Sequence, residues 1–591
     1  MRPLALAVAL TAAALAPVPE AAAQAPPDRA TCAQVRAHRT APPVVTYDRK
    51  PGAVRVFAMQ FKQEVRHIDT YAAFRTKIEC MVREYVVPRL ARGRGRVNVV
   101  AFNEDIGLMT AGTGSRGAQA RQVIANPGGA PGCEGQAFPC ATLATLAALN
   151  SGYSKELAAY RARFPQMSPA SGVFVAATDT FARGWMQTFS DVARRYGIYI
   201  LGSNNQAPFR ESSDPADIEA FADPDHPRPA SVFVATSPDV YNEVFMWAPR
   251  DVRGDGPPML RNVVAQNKKV PLTPIEQTLE LAPGPATGPA AVDNVRPYPI
   301  PGTRAKVAFA TSLPAFVYGD PPPGVDPCSD TSKYYMRCVD KLGANVVMQD
   351  EANPGRWTGE DGDGIEKWQP LSWMTSTWRA AADPTVAFDY NVTPHLVGNL
   401  ADLAFDGQTA ITQRRLRGPA CHYVGNERWI DGEDRPDLKD EAGPKREFLA
   451  IAPWVTGSAP RDDLRAVGAR LAPGSGDALE NDYLETAVVA DLTFPRDPGR
   501  IGCAQEAGSR RARLAATPRR VRAGRRVTLR FTVRTGRKPL RAGSVWLRGR
   551  EYRVDRRGRA LARVKLPRGT HTATFARPGY RRVTVKLRAA R

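Results

Sequence analysis

Short apolar runs alternate along the chain with stretches whose apolar positions recur at helical spacing. Residues 53–61 (AVRVFAMQF) and 97–102 (VNVVAF) predict buried strands. Between them, 71–90 places Phe74, Ile78, Met81, Val82 and Tyr85 near one helical face, and 92–96 is a basic turn. Residues 173–178 (VFVAAT) read as a further strand, 185–196 as a helix, and 197–202 (GIYILG) as a strand tipped by Ser203, Asn204 and Asn205. Residues 241–247 (YNEVFMW) continue the series. The apolar run 307–311 stops abruptly at Ser312, a helix is expected around 334–342, and a second strand follows at 345–348. A strand-like segment near 395–403 and another at 484–494 (LETAVVADLTF) complete it. Strands and helices in alternation predict an α/β architecture.

Composition adds compartment and organisation. At 591 residues the chain is long enough for two or three domains, and 52 prolines with 48 glycines predict abundant loop. Met1 and Arg2 precede an apolar run over 4–16, and Ala23-Gln24-Ala25 supplies small residues suited to cleavage. Residues 1–25 therefore read as a secretory signal, too short for a membrane span, followed by a polar lead over 26–52. A secreted or cell-surface protein is expected. The even count of eight cysteines fits export and disulfides. Short-range pairs Cys133–Cys140 and Cys328–Cys338 would pin loops, leaving Cys32 with Cys80 and Cys421 with Cys503. Zinc is the competing use of cysteine, but no Cys-x-x-Cys pair occurs and no histidine stands at ligand spacing, so no metal is expected. The glycine-rich 112–117 loop lacks a phosphate-binding lysine, and no cofactor is expected. Residues 361–366 (DGDGIE) read as an acidic turn, and Asn391-Val392-Thr393 matches a glycosylation sequon by pattern.

The charge is concentrated at one end. Residues 510–591 hold 28 Lys and Arg against Glu551 and Asp555, a balance of +26 within a whole-chain total of +22, which leaves −4 for everything before them. Runs at 527–533, 545–547, 552–554, 560–564, 572–575 and 583–587 sit between Gly, Pro and Arg turns and predict six or seven short strands. This segment resembles bacterial immunoglobulin-like modules, an all-β sandwich. A cationic domain of this kind suits an anionic cell-envelope polymer or membrane surface. Nucleic acid is disfavoured by export and by too few aromatic residues for a stacking platform.

Three anchors in residues 53–505 resemble the nitrilase, or carbon–nitrogen hydrolase, superfamily. The first is Gln60 ending a strand, a long helix, then Phe102-Asn103-Glu104 ending the next, with Asn103 where the family has proline. The second is QNKKVPLTPIE at 266–276, in which Lys269, Leu272, Pro274 and Glu276 match the family's lysine pattern, the last spacing one residue short. The third is the strand ending at Ser312, followed by a helix, Gly343-Ala344-Asn345 and Trp357. Tyr241-Asn242 and Phe405-Asp406-Gly407 match further family positions. The resemblance implies a four-layer α-β-β-α sandwich and no cofactor. It implies a small-molecule amide or nitrile as substrate, and a second copy in a homodimer is a further partner expectation.

It also implies roles. Cleaving a C–N bond needs a nucleophile, a base that passes the proton on, and a cation for the developing negative charge. By carry-over Glu104 is base and then acid, Lys269 the anion stabiliser, Glu276 an auxiliary carboxylate, and Ser312 the attacking residue. The family has cysteine at that last position. A thiol ionises near pH 8.5, whereas a hydroxyl depends wholly on a strong, well-placed base. Glu104 serves as that base if burial raises its pKa. The alternative is a catalytically inactive nitrilase-fold binding protein at the cell envelope, and a plain loop serine at Ser312 is the blandest reading.

Overall fold

The computed structural model describes residues 25–46, 54–354, 369–423, 429–430, 433–434, 445–455, 464–505 and 512–591, except positions 94, 131, 134–139, 227–228, 419, 422, 498, 503, 542, 549, 577–579 and 581–582. Among them, a nine-stranded sheet runs in spatial order Val44–Thr46, Thr486–Leu492, Val54–Lys62, Val97–Ala101, Tyr199–Gln206, Tyr241–Trp247 and Val263–Lys268, with the hairpin Leu396–Leu400 and Leu403–Phe405 joined to Val54–Lys62. A seven-stranded sheet runs Ala504–Gln505, Phe448–Ile451, Ala410–Gln413, Tyr390–Thr393, Val346–Met348, Lys306–Phe309 and Tyr298–Pro299.

The strand Val54–Lys62 shows why its sequence is nearly all apolar. Val56 and Ala58 enter one core, shared with Val307, Phe309, Val346, Tyr390 and Val392 of the seven-stranded sheet. Phe57, Met59 and Phe61, pointing the other way, join Phe74, Ile78, Phe189 and Val192 from the helices Tyr71–Met81 and Gln187–Tyr196. Both faces are covered, so alternation disappears. Thr70 caps the first of these helices, its hydroxyl accepting from the Ala73 amide at 3.1 Å. On the far side of the seven-stranded sheet, Tyr335, Met336 and Val339 of the helix Thr331–Lys341 pack with Ala308, Val347 and Phe388.

Two expectations are corrected. Residues 173–178 are helical (Gly172–Ala176, then Thr178–Phe181), not a strand. Both edges of Tyr199–Gln206 are already paired, with Val97–Ala101 and Tyr241–Trp247, so the run does not pair beside that strand. It is buried instead among Tyr160, Phe221, Val232, Val234 and Leu281, the core of the inserted helices and the hairpin Phe209–Ser212 with Val232–Ala235. A short apolar run carries no period that separates these two fates. The sequon is also misleading: Asn391 is fully buried in the strand Tyr390–Thr393, and its Nδ2 donates to Gln349 Oε1 and to the Thr377 carbonyl, which leaves no accessible amide for a glycan.

Disulfides join Cys133–Cys140 and Cys328–Cys338, the short-range pairs expected, and Cys32–Cys80, one of the two pairs they left. Cys421 is disulfide-bonded as well; its expected partner Cys503 lies outside the described residues, as do residues 1–24, Trp357 and the acidic turn 361–366. No described helix is long and apolar enough to cross a membrane.

Residues 512–591 form two further sheets, described among themselves as four-stranded (Arg513–Thr517, Arg526–Thr535, Lys538–Pro539, Arg559–Lys565) and five-stranded (Arg520–Arg522, Val583–Ala590, Gly569–Ala576, Ser544–Leu547, Arg550–Arg553). Leu529, Phe531 and Ala562 of one share a core with Val545, Phe575 and Leu587 of the other. Here alternation is strict: in Arg526–Thr535, Leu529 and Phe531 are buried while Thr528 and Arg530 are exposed. The fold of the whole chain is thus mixed α/β with additional C-terminal β-sheets.

Candidate functional site

Glu104 is placed by the end of a strand. After Val97–Ala101 the Phe102 amide still pairs with the Leu201 carbonyl at 2.9 Å, and Asp105 then turns the chain at φ 57°, its amide donating to Ser203 Oγ at 3.1 Å. Gly107 closes the turn; a Cβ there would stand 2.6 Å from the Trp185 ring and 2.9 Å from Asn204. Lys269 follows Val263–Lys268, its amide donating to the Asn242 carbonyl at 2.9 Å. Glu276 lies in the short helix Pro274–Thr278, where its Oε2 accepts from the Thr273 amide at 2.7 Å and the Thr273 hydroxyl at 2.6 Å, a capping box.

These three side chains meet. Lys269 Nζ lies 2.8 Å from Glu104 Oε1 and 2.9 Å from Glu276 Oε2. Asn242 Nδ2 bridges the same two carboxylates, donating to Glu104 Oε1 at 2.8 Å and Glu276 Oε1 at 2.7 Å. The second oxygen of Glu104 accepts from the Ala352 amide at 3.0 Å.

Ser312 reaches the neighbouring residue of that segment. Past Lys306–Phe309 the chain still follows its partner strand, the Ala310 amide on the Met348 carbonyl at 2.9 Å and the Ser312 amide on the Asp350 carbonyl at 3.2 Å. Ser312 itself adopts φ 56° and ψ −112°, a conformation costly for a non-glycine residue and concentrated at functional sites. Its hydroxyl donates to Asn353 Oδ1 at 2.9 Å. Asn353 Nδ2 in turn donates to Glu351 Oε2, which orients the amide. Asp350 is held by Thr311 Oγ1 at 2.7 Å and Ser203 Oγ at 2.6 Å. Residues 350–353 therefore carry Glu104 on one side and Ser312 on the other. Among the described residues, no hydrogen bond links Ser312 directly to Glu104 or Lys269.

Glu104, Lys269 and Ser312 are each no more than 3% exposed. Burial pushes the Glu104 carboxyl up to about 7, with Glu276 and Asp350 adding to the rise and Lys269 opposing it. For Lys269 burial favours the neutral amine, but Glu104 and Glu276 outweigh it and the pKa rises, so the ammonium persists. Burial alone would raise Glu276, yet Lys269 and the Thr273 hydrogen bonds hold it below the ordinary carboxylate value. The resulting division is a lasting Lys269–Glu276 ion pair and a Glu104 poised to gain or lose a proton near neutrality. Glu351 is driven well above its usual value, first by burial and then by Glu104.

Sequence reasoning did not name Asn242, Asp350, Glu351, Ala352 or Asn353 as site residues. A signal was present: Gln349 to Asn353 (QDEAN) puts four polar residues directly after the apolar strand Val346–Met348, and all four are buried. Polar residues continuing a buried strand announce hydrogen-bonded partners. Among the described residues, no cluster of three metal-ligating side chains is present.

Comparison with known proteins returns no matching protein-family model. It returns no curated relative either. Among solved structures, the chain is similar to a glutamate-to-glutamine variant of the amidase from Nesterenkonia sp. AN1, carrying acrylamide added at its active-site cysteine: 13% identity, 61% of this chain, 85% of that one, TM-score 0.29. A cysteine-to-serine variant of that amidase, described as from the nitrilase superfamily, gives 14%, 61%, 85% and 0.27. A carbon–nitrogen hydrolase from Helicobacter pylori G27 gives 10%, 61%, 82% and 0.31. Likeness at this level carries no weight for function; the side chains do.

Proposed function

We propose that residues 53–505 form a nitrilase-like α-β-β-α domain that hydrolyses a non-peptide C–N bond, an amide or a nitrile, in an exported protein whose residues 510–591 form a basic immunoglobulin-like sandwich. One observation carries the reading: a buried ammonium, Lys269, is held between Glu104 and Glu276, and Glu104 and Ser312 are hydrogen-bonded to the consecutive residues Ala352 and Asn353. Glu104, half-ionised near neutrality, removes the Ser312 proton when substrate displaces the Asn353 contact, and returns it to the leaving nitrogen. Ser312 Oγ forms the bond to the substrate carbon. Lys269 stabilises the negative charge that builds on the substrate's oxygen or nitrogen, and Glu276 with Asn242 keeps Lys269 and Glu104 in register. Water, with Glu104 as base, then attacks the ester left by an amide and frees Ser312; from a nitrile the first adduct is an imidate, which one water converts to that ester with release of ammonia before a second water frees Ser312.

A second reading has its own support. The Ser312 hydroxyl rests on an amide oxygen, which accepts its hydrogen bond but is too weak a base to take its proton, and not on a carboxylate, which suits a protein that binds this substrate type without turnover. Incubation of the purified protein with panels of amides and nitriles, followed by intact-mass measurement, separates the two. Turnover with a Ser312-linked adduct supports the hydrolase; saturable binding with neither product nor adduct supports the binder.

A further inference from the structure

The four-stranded C-terminal sheet has one face in a core and the other in water. On its central strand, Arg526–Thr535, the residues Leu529, Phe531 and Val533 are buried, and Arg526, Arg530 and Arg534 point the other way and are exposed. The flanking strand Arg559–Lys565 adds Arg559, Arg563 and Lys565 to the exposed face, and Arg513–Thr517 adds Arg513. Seven cations therefore share one face, which runs about 27 Å from Arg526 to Arg534. The sequence of these three strands contains no acid; the two carboxylates of residues 510–591 are Glu551, in the other sheet, and Asp555, in a turn. Register makes the crowding worse. Arg513 stands directly opposite Arg534, and Arg526 directly opposite Lys565. Like charges facing each other across two strands destabilise the pair, and an anionic surface laid against them relieves that cost.

One further residue on this face is not charged. Leu561 is 60% exposed, with Arg559 and Arg563 two positions away on its own strand and Arg530 directly across from it. The stems of those three arginines are apolar, so the middle of the face offers hydrocarbon ringed by guanidinium heads. The outer side of the five-stranded sheet is differently placed: Trp546, Thr572 and Thr574 there line a cleft against Gly499 and Ile501 of the preceding region. The cationic face is on the other sheet, away from that contact. From these features we propose that it docks on an anionic phospholipid bilayer, its cations on headgroup phosphates and Leu561 at the boundary of the acyl chains. A soluble polyanion satisfies the cations but gives Leu561 nothing to enter. A nucleic acid strand needs aromatic platforms, and the one aromatic residue of these three strands, Phe531, is in the core. The proposal is independent of the hydrolase reading.

Full-length protein is sedimented with vesicles of phosphatidylcholine alone and with vesicles that also hold phosphatidylglycerol, and is titrated separately with polygalacturonate, a glycerol-phosphate polymer and duplex DNA. Binding to the phosphatidylglycerol vesicles and not to phosphatidylcholine is expected, weakening as salt is added. Arg530→Ala with Arg563→Ala should weaken it about 25-fold, roughly fivefold for each cation held near an anionic surface. Lys586→Ala with Arg588→Ala removes the same charge from exposed positions of the other sheet and should change it no more than about threefold. Arg530→Lys with Arg563→Lys keeps the charge and should bind within about twofold of the unaltered protein. Leu561→Ser should weaken vesicle binding about tenfold and leave any polymer binding unchanged. Circular dichroism of each variant separates lost folding from lost contacts. Equal losses from the two alanine pairs in folded variants would overturn the proposal. So would vesicle binding indifferent to Leu561→Ser, tighter binding to the polymers or DNA than to vesicles, or no binding to vesicles.

Discussion

The two ends of this chain handle charge in opposite ways. Around Glu104 the ionisable groups are buried among specific partners: Lys269 touches two carboxylates, Asp350 accepts from two hydroxyls, and Glu351, its pKa driven up by burial, accepts from the amides of Gln349 and Asn353. Among the described residues of 512–591 the strand arginines alternate with core residues and face water, and none stands within ion-pairing distance of a described carboxylate. A buried charge without compensation costs several kcal/mol, so its geometry is tightly specified, whereas an exposed one is nearly free to stay or go. Charge in the first region sets pKa values; in the second it sets a long-range field.

The hardest test of that contrast is Lys269→Met. It leaves Glu104 and Glu276 facing each other unpaired, and a loss of about 3–5 kcal/mol is expected in chemical denaturation, together with loss of any turnover. Adding Glu276→Gln should restore part of the stability and none of the activity. Of comparable size but confined to the other region, Phe531→Ala should cost about 3–5 kcal/mol in the C-terminal sheets while leaving hydrolysis of small amides unchanged. Equal effects on both would show that the two regions fold as one unit.

Activity comes next. Ser312→Ala should reduce amide turnover to background, and Ser312→Cys should raise it, because a thiolate needs less from its base. Turnover preserved in the alanine variant rejects Ser312 as nucleophile. Glu104→Gln should lower kcat about 10²–10⁴-fold, the range for loss of a general base.

The pH response sharpens the comparison. The folded Glu104 carboxyl titrates at about 7 against an ordinary 4.5, so its protonated form favours the folded state. Its contribution to stability is present below about 4.5 and is lost as pH rises through about 7, while activity, which needs the carboxylate, climbs over the same interval. Opposed slopes of stability and rate are expected, and Glu104→Gln should flatten that group's part of the stability curve. The smallest effect belongs to the outward arginines: Arg530→Ala should change stability by no more than about 0.5 kcal/mol.

Legibility followed the same divide. The strands Val54–Lys62, Val97–Ala101 and Tyr241–Trp247 could be read because burial on both faces demands continuous apolar sequence. The C-terminal strands could be read because burial on one face demands alternation. The run 173–178 could not, since strand and buried helix place the same demand on five apolar residues, and only its packing with Tyr160, Phe221 and Leu281 distinguishes them. Glu104, Lys269, Glu276 and Ser312 were singled out by motif. Asn353, which holds the Ser312 hydroxyl, was not, and Asn242, which joins two carboxylates, matched a family position without being given a role, because an asparagine is ordinary until its neighbours are known.

Hydrophobic period and charge distribution along the chain sufficed to determine the mixed α/β character, a basic β-rich end and the residue types available for chemistry, because these depend on local pattern alone. Tertiary structure decided which groups share a proton. Glu104 and Lys269 are 165 positions apart, yet they stand 2.8 Å from each other in a space from which water is largely excluded. Separation in space and local dielectric set a pKa, and neither is written in the order of residues.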